Sequence, residues 1–84
     1  MICFEKTAWE DYQYWQQQDR AILKKINQLI RDIEREPFEG LGKPEGLKNN
    51  LSGFWSRRIN GEHRIVYRIE GNELVIAQCR GHYD

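Results

Sequence analysis

Residues 63–83 read HRIVYRIEGNELVIAQCRGHY, and apolar and polar side chains alternate through them on either side of a Gly-Asn break. A period of two is the mark of a strand with two unlike faces, and EGN between two such runs is a hairpin turn. The same reading extends upstream: FWSRRI (54–59) forms a strand and NGE (60–62) a second turn. Ile65, Tyr67 and Ile69 share one face. Arg64, Val66 and Arg68 share the other. On 73–83, Leu74, Ile76, Gln78, Arg80 and His82 lie opposite Val75, Ala77, Cys79, Gly81 and Tyr83. If Ile65, Tyr67, Ile69, Val75, Ala77 and Cys79 pack inward, then Arg64, Arg80 and His82 stand on an open face.

Further toward the N-terminus the period changes to that of a helix. MICFE is a short first strand, and Thr7 with Glu10 matches a capping box opening a helix to about Gln18. Ala8, Trp9, Tyr12 and Trp15 form its inner face. Asp19 caps a second helix that runs to about Arg35 and is ended by Pro37. There Ile22, Ile26, Leu29, Ile30 and Ile33 recur at helical spacing, and Lys24, Lys25, Gln28, Arg31 and Asp32 are assigned to water. Residues 38–53, with four Gly and one Pro, read as loop, with a short strand around 47–49. The expected fold class is α+β: two helices on an antiparallel sheet of four or five strands.

Length and composition narrow the functions. The 84 residues suit one small domain, 1–84, whose three Trp, four Tyr and three Phe supply core area. The net charge of zero argues against a simple polybasic nucleic-acid binder. Charge is nonetheless uneven: from Lys43 to Arg68 six basic residues face only Glu45 and Glu62, which suggests a local anionic site. Met1 leads into ICFEK without the pattern of a signal peptide, and no run spans a bilayer. Cys3 and Cys79 stand in no metal-ligand spacing, so a reducing cytoplasm and no metal are expected.

Glu45, Lys48, Arg57, Arg58, His63, Arg64, Arg80, His82 and Tyr83 are the polar residues of interest. A carboxylate, an imidazole and guanidinium groups are the parts that cleavage of RNA through its own 2′-hydroxyl requires. Each residue also has a plainer reading: Glu45 as a solvated loop carboxylate, Arg57, Arg58 and Arg64 as solvent-face sheet residues, His63 as a structural turn residue, His82 and Tyr83 as a frayed end. Pattern alone reaches a small α+β domain with a candidate anion-binding sheet face, and not a reaction.

KPEGLKNNLSGFWSRRINGEHRIVYRI (43–69) and CRGHY (79–83), with DYQYW (11–15), KKINQLI (24–30) and PFEGLGKPE (37–45), resemble the YoeB (Txe) branch of the RelE/ParE toxin superfamily over essentially the whole chain. The resemblance implies a microbial-ribonuclease-like fold and the toxin of a type II toxin–antitoxin pair. It also implies a ribosome-dependent mRNA endonuclease that acts in the A site without a cofactor and leaves a 2′,3′-cyclic phosphate and a 5′-hydroxyl. The implied partners are a cognate YefM-like antitoxin, the ribosome with its A-site mRNA, a second copy of the chain and, through the antitoxin, operator DNA. By motif match Glu45 is the general base, His82 the general acid and Arg64 the transition-state cation. Lys48 and Arg58 support the phosphate, and Tyr83 positions the RNA. Arg57 and Arg80 are assigned to ribosomal RNA on charge alone. The chain departs from the family's usual Tyr-His-Tyr ending at Gly81 and Asp84, and carries Gly46 and Asn49 where relatives have Pro and His. Two other functions stay open: a ParE-like gyrase poison, and a module that only binds antitoxin and co-represses DNA.

Overall fold

The computed structural model describes residues 1–82. The elements run β1 (Ile2–Phe4), α1 (Lys6–Gln18), α2 (Arg20–Arg35), β2 (Glu45–Gly46), a 3₁₀ turn (Asn49–Leu51), β3 (Trp55–Arg58), β4 (Arg64–Glu70) and β5 (Glu73–Gln78). Both helices pack on a five-stranded sheet of order β1-β5-β4-β3-β2, the expected α+β architecture. The sheet is mixed: β1 pairs with β5 in parallel, and the other neighbours are antiparallel. Among the described residues no helix is long and apolar enough to cross a membrane.

The helical stripe on α2 is buried as its spacing predicts, with Ile26, Leu29, Ile30 and Ile33 meeting Ile65, Tyr67, Leu74 and Ile76 of the sheet. Each such aliphatic side chain contributes about 1.5–3 kcal/mol on burial. Asp19 caps α2, its Oδ1 accepting from the Ala21 and Ile22 amides at 3.1 and 3.2 Å. On α1, Ala8 and Trp15 are buried, whereas Trp9 stays half exposed, stacked on Tyr12 at 5.9 Å.

Several local expectations are corrected. Helix α1 starts before Thr7, with Glu5 at the cap position and no side-chain cap. The Glu5 amide is already bonded to the Ile76 carbonyl at 2.9 Å, so the helix begins as soon as β1 pairing stops. The short loop strand is Glu45–Gly46 rather than 47–49. Asp32 does not face water: it is buried against Arg57. The final strand stops at Gln78, and its pairing contains a bulge. Tyr67 opposes Ile76 but Val66 opposes Gln78, which leaves Ala77 as an extra residue on β5. Before the bulge Leu74 and Ile76, not Val75 and Ala77, face the helices. After it the phase resets, and Cys79 returns inward as expected.

Candidate active site

The strand register assembles a row of side chains on the sheet face away from the helices. Glu45 on β2 opposes Ser56 on β3, Ser56 opposes Val66 on β4, and Val66 opposes Gln78 on β5. One step along, Arg58 opposes Arg64. Because paired residues share a face, Glu45, Arg58 and Arg64 project from the same side, opposite to Ile65 and Tyr67 in the core. Glu45 and Lys48 also line an open cavity of about 330 Å³ formed by residues 45–51. Two non-glycine residues adopt the left-handed conformation here, Lys43 (φ 53°) just before that segment and Asn49 (φ 59°) within it. Such strain persists where surrounding bonds hold it. Here the Arg58 amide donates to the Gly42 carbonyl at 2.6 Å, just before Lys43.

Arg57 is absent from this face, contrary to its assignment to RNA. Adjacent strand residues point to opposite sides, and Arg57 is the one that points at α2, with 0% exposure. Its guanidinium spends all five N–H groups inside the protein. Nε donates to the Tyr67 hydroxyl (3.2 Å), Nη1 to Asp32 Oδ2 (2.5 Å) and the Leu41 carbonyl (3.1 Å), and Nη2 to the Glu36 (2.6 Å) and Glu39 (3.0 Å) carbonyls. No donor is left for a phosphate. The chain from Glu36 to Gly42 is thus wound around one buried cation, and this fixes the approach to Glu45. Gly40 is required there, since a Cβ would lie 2.2 Å from Asp32 Oδ2. The Leu41 amide above all, then Arg35 and Arg57, hold the Asp32 carboxyl well below the usual carboxylate range.

The end of β5 is secured from two sides. From α1, the Asp11 carboxylate accepts the Cys79 amide at 3.0 Å, and Trp15 Nε1 donates to the Cys79 carbonyl at 2.9 Å. Burial pushes the Asp11 carboxyl up, against the Cys79 amide bond and the nearby Arg80 charge. From the β3–β4 turn, His63 Nδ1 accepts the Gly81 amide at 2.8 Å, and the Arg64 amide donates to the Gly81 carbonyl at 3.0 Å. Gln78 Nε2 reaches the His82 carbonyl at 3.3 Å. Gly81 adopts φ +77°, a conformation natural for glycine. The exposed His82 therefore follows an anchored residue and is not a frayed end. Arg80 leaves the open face as well: its guanidinium carbon sits 3.5 Å from the centroid of the Tyr14 ring on α1. Tyr83 lies outside the described residues.

Asp11 had no reading in the sequence, Trp15 was read only as core, and Asp32 was read as solvent-facing. The signal was a carboxylate on an apolar stripe: Asp11 sits one turn before Trp15, and Asp32 falls three residues after Leu29. Among the described residues no cluster of three or more His, Cys, Asp or Glu side chains is placed to hold a metal ion.

Burial raises the Cys79 thiol to about 12 from an ordinary value of 9.0, with a further push from Asp11. Iodoacetamide at pH 8 should therefore label half-buried Cys3 and spare Cys79 until denaturant is added, as mass spectrometry of the alkylated peptides would read. The folded state holds the Cys79 proton more tightly than the unfolded chain. Its stabilising contribution is complete below pH 9.0 and is lost as pH rises toward about 12.

Comparison with known proteins places the chain. Residues 4–83 match the family model described as the YoeB-like toxin of bacterial type II toxin–antitoxin systems. Toxin YoeB of Escherichia coli strain K12 is 58% identical over 82 residues, covering 98% of each chain. A YoeB/ParE toxin structure from Agrobacterium tumefaciens superposes with a TM-score of 0.96 at 50% identity, covering 98% of both chains. A YoeB–YefM complex from Staphylococcus aureus gives 0.92 at 51% identity, covering 99% of this chain and 97% of that one. The row of Glu45, Arg58 and Arg64 and the anchored His82 thus belong to a chain of the YoeB-like toxin family of bacterial type II toxin–antitoxin systems.

Proposed function

We propose that this toxin is a ribosome-dependent endoribonuclease that cuts mRNA in the A site. The reading rests on one observation: the strand register puts Glu45, Arg58 and Arg64 on one open face, and the Arg64 backbone itself holds the residue preceding His82. Glu45 takes the proton from a ribose 2′-hydroxyl, and the 2′-oxygen attacks the adjacent phosphorus. The bond from phosphorus to the 5′-oxygen breaks as His82 gives that oxygen a proton. Arg64 stabilises the extra negative charge on the phosphorane-like transition state, and Lys48 and Arg58 hold the phosphate. Tyr83 positions the RNA. The products are a 2′,3′-cyclic phosphate and a 5′-hydroxyl, and translation stops. Arg80 remains a candidate contact to ribosomal RNA, and Arg57 does not.

A YefM-like antitoxin is the cognate partner in this reading, as in the staphylococcal complex, and contact with operator DNA runs through it. A homodimer is the other assembly the family likeness supports. The test is primer extension on an mRNA programmed into ribosomes with an empty A site. A stop within the A-site codon is expected, at a downstream fragment that begins with a 5′-hydroxyl, while the upstream fragment ends in a cyclic phosphate. No cut by folded protein, with loss of gyrase supercoiling instead, would replace the nuclease by a gyrase poison.

A further inference from the structure

The His63 carbonyl accepts a long hydrogen bond from Arg64 Nη1 at 3.4 Å, and the His63 ring reaches the residue before His82 through one backbone amide. Its ring stands edge-on against Trp15, with centroids 4.8 Å apart, and is largely shielded from solvent. The direction of a backbone N–H is set by the chain, so the 2.8 Å contact from the Gly81 amide makes Nδ1 an acceptor. Nδ1 therefore carries no proton, and the remaining one sits on Nε2, which lies 3.7 Å from Glu62 Oε1. The backbone beneath His63 is equally constrained. Asn60 Oδ1 accepts the Glu62 and His63 amides, both at 2.8 Å, and the His63 carbonyl accepts the Ile59 amide at 3.0 Å. Trp15 packs on the His63 ring and, through its Nε1, also holds the Cys79 carbonyl two residues before Gly81.

We infer that His63 is a positioning residue for His82: its neutral Nδ1, braced by Trp15, holds the Gly81 amide and so sets where the next imidazole stands relative to Arg64. The dipeptide His63–Arg64 grips Gly81 at both polar groups, by a side chain at the N–H and by a backbone amide at the carbonyl. The cation and the acid are thereby indexed to the same two residues. Gly81 needs this grip: it has no Cβ, nothing lies within 4 Å of where one would stand, and its left-handed φ is set by its bonds rather than by packing. The inference rests on the nuclease reading and on His82 as the proton donor.

The test compares His63→Leu, which keeps apolar volume against Trp15 without an acceptor, with His63→Asn, whose Oδ1 can take the place of Nδ1. Each full-length variant is assayed on ribosome-programmed mRNA carrying the ordinary 5′-oxygen or a bridging 5′-sulfur at the cut. Sulfur leaves as a thiolate and needs no proton, so it removes the demand on the general acid. His63→Leu should lose about 10–100-fold in single-turnover rate on the oxygen substrate, the scale of a small misplacement of a catalytic group. It should regain nearly all of that loss on the sulfur substrate, as His82→Ala should. His63→Asn should remain close to wild type on both, and ribosome affinity should not change. If His82→Ala is rescued by sulfur but His63→Leu is equally slow on both substrates, His63 is only structural and the inference falls. An Asn variant that folds yet is impaired on oxygen to the same degree as His82→Ala also overturns it. If sulfur does not rescue His82→Ala, the acid assignment fails, and the positioning role with it.

Discussion

Glu45→Ala and His82→Ala should each slow single-turnover cleavage in the A site by about 10²–10⁴, the usual contribution of a general base or acid. Arg64→Ala should cost about 10²–10³, as expected when a donor to transition-state charge is removed. These three losses should fall on the chemical step and leave ribosome affinity nearly unchanged, because each interaction matures only as charge moves. Lys48→Ala and Arg58→Ala should behave differently. They remove cations from the phosphate-facing side, so binding should weaken, with a shallower dependence on salt. Arg58 stands opposite Arg64 in one pairing row, and Lys48 shares the cavity lining with Glu45, so both supporting cations lie beside the residues assigned to the chemical step. Quenched single-turnover time courses at two salt concentrations separate the two groups. Equal, small losses at all five positions would show that the roles are misassigned.

Arg57→Ala should be the most destabilising single substitution, at about 3–5 kcal/mol, because it removes one side of a buried charge-paired network and leaves the other side uncompensated. Five hydrogen bonds are lost at once: to Asp32, to the Tyr67 hydroxyl and to the carbonyls of Glu36, Glu39 and Leu41. In a chain of this size about 1 kcal/mol corresponds to roughly 4–8 °C in melting temperature, so the variant should unfold far below wild type. Arg58→Ala is the control, being exposed and on the opposite face, and should melt with wild type. Acid unfolding supplies a second readout. The Asp32 carboxyl is held below its ordinary value of 3.8, so its contribution is present above that pH and is lost on acidification below it. Arg57 is one of the groups responsible, and its removal should raise the Asp32 carboxyl and shift acid unfolding to higher pH. Coincident thermal and acid midpoints for Arg57→Ala and wild type would sink the assignment.

Much of the frame is legible in the residues themselves. The apolar spacing of Ile26, Leu29, Ile30 and Ile33, the Asp19 cap and the alternation from Arg64 to Ile69 each report a local geometry that neighbouring residues enforce. The proposed catalytic set was legible only through its likeness to a family, since a carboxylate in a glycine-rich loop has a plain solvated reading. The sequence misled where long-range partners decide. Asp32 looked like a solvent-facing residue because helical periodicity does not reveal an arginine waiting across the interface.

What the sequence by itself determined is the two helices, the first strand and the three strands after residue 53, and the fact that Arg57 and Arg58, as neighbours on a strand, must point to opposite faces. Which of them turns inward was decided by the tertiary structure, through the carboxylate that α2 brings to Arg57 and the carbonyls of the loop that follows. The bulge at Ala77 belongs to the same class. Alternation counts residues along one strand, whereas a bulge is a mismatch between two, and it alone returns Cys79 to the core beneath α1. His82 then depends on contacts 64 to 68 residues away for Cys79, and 18 away for Gly81. No local pattern encodes those distances; they exist only once the sheet has closed on its helices.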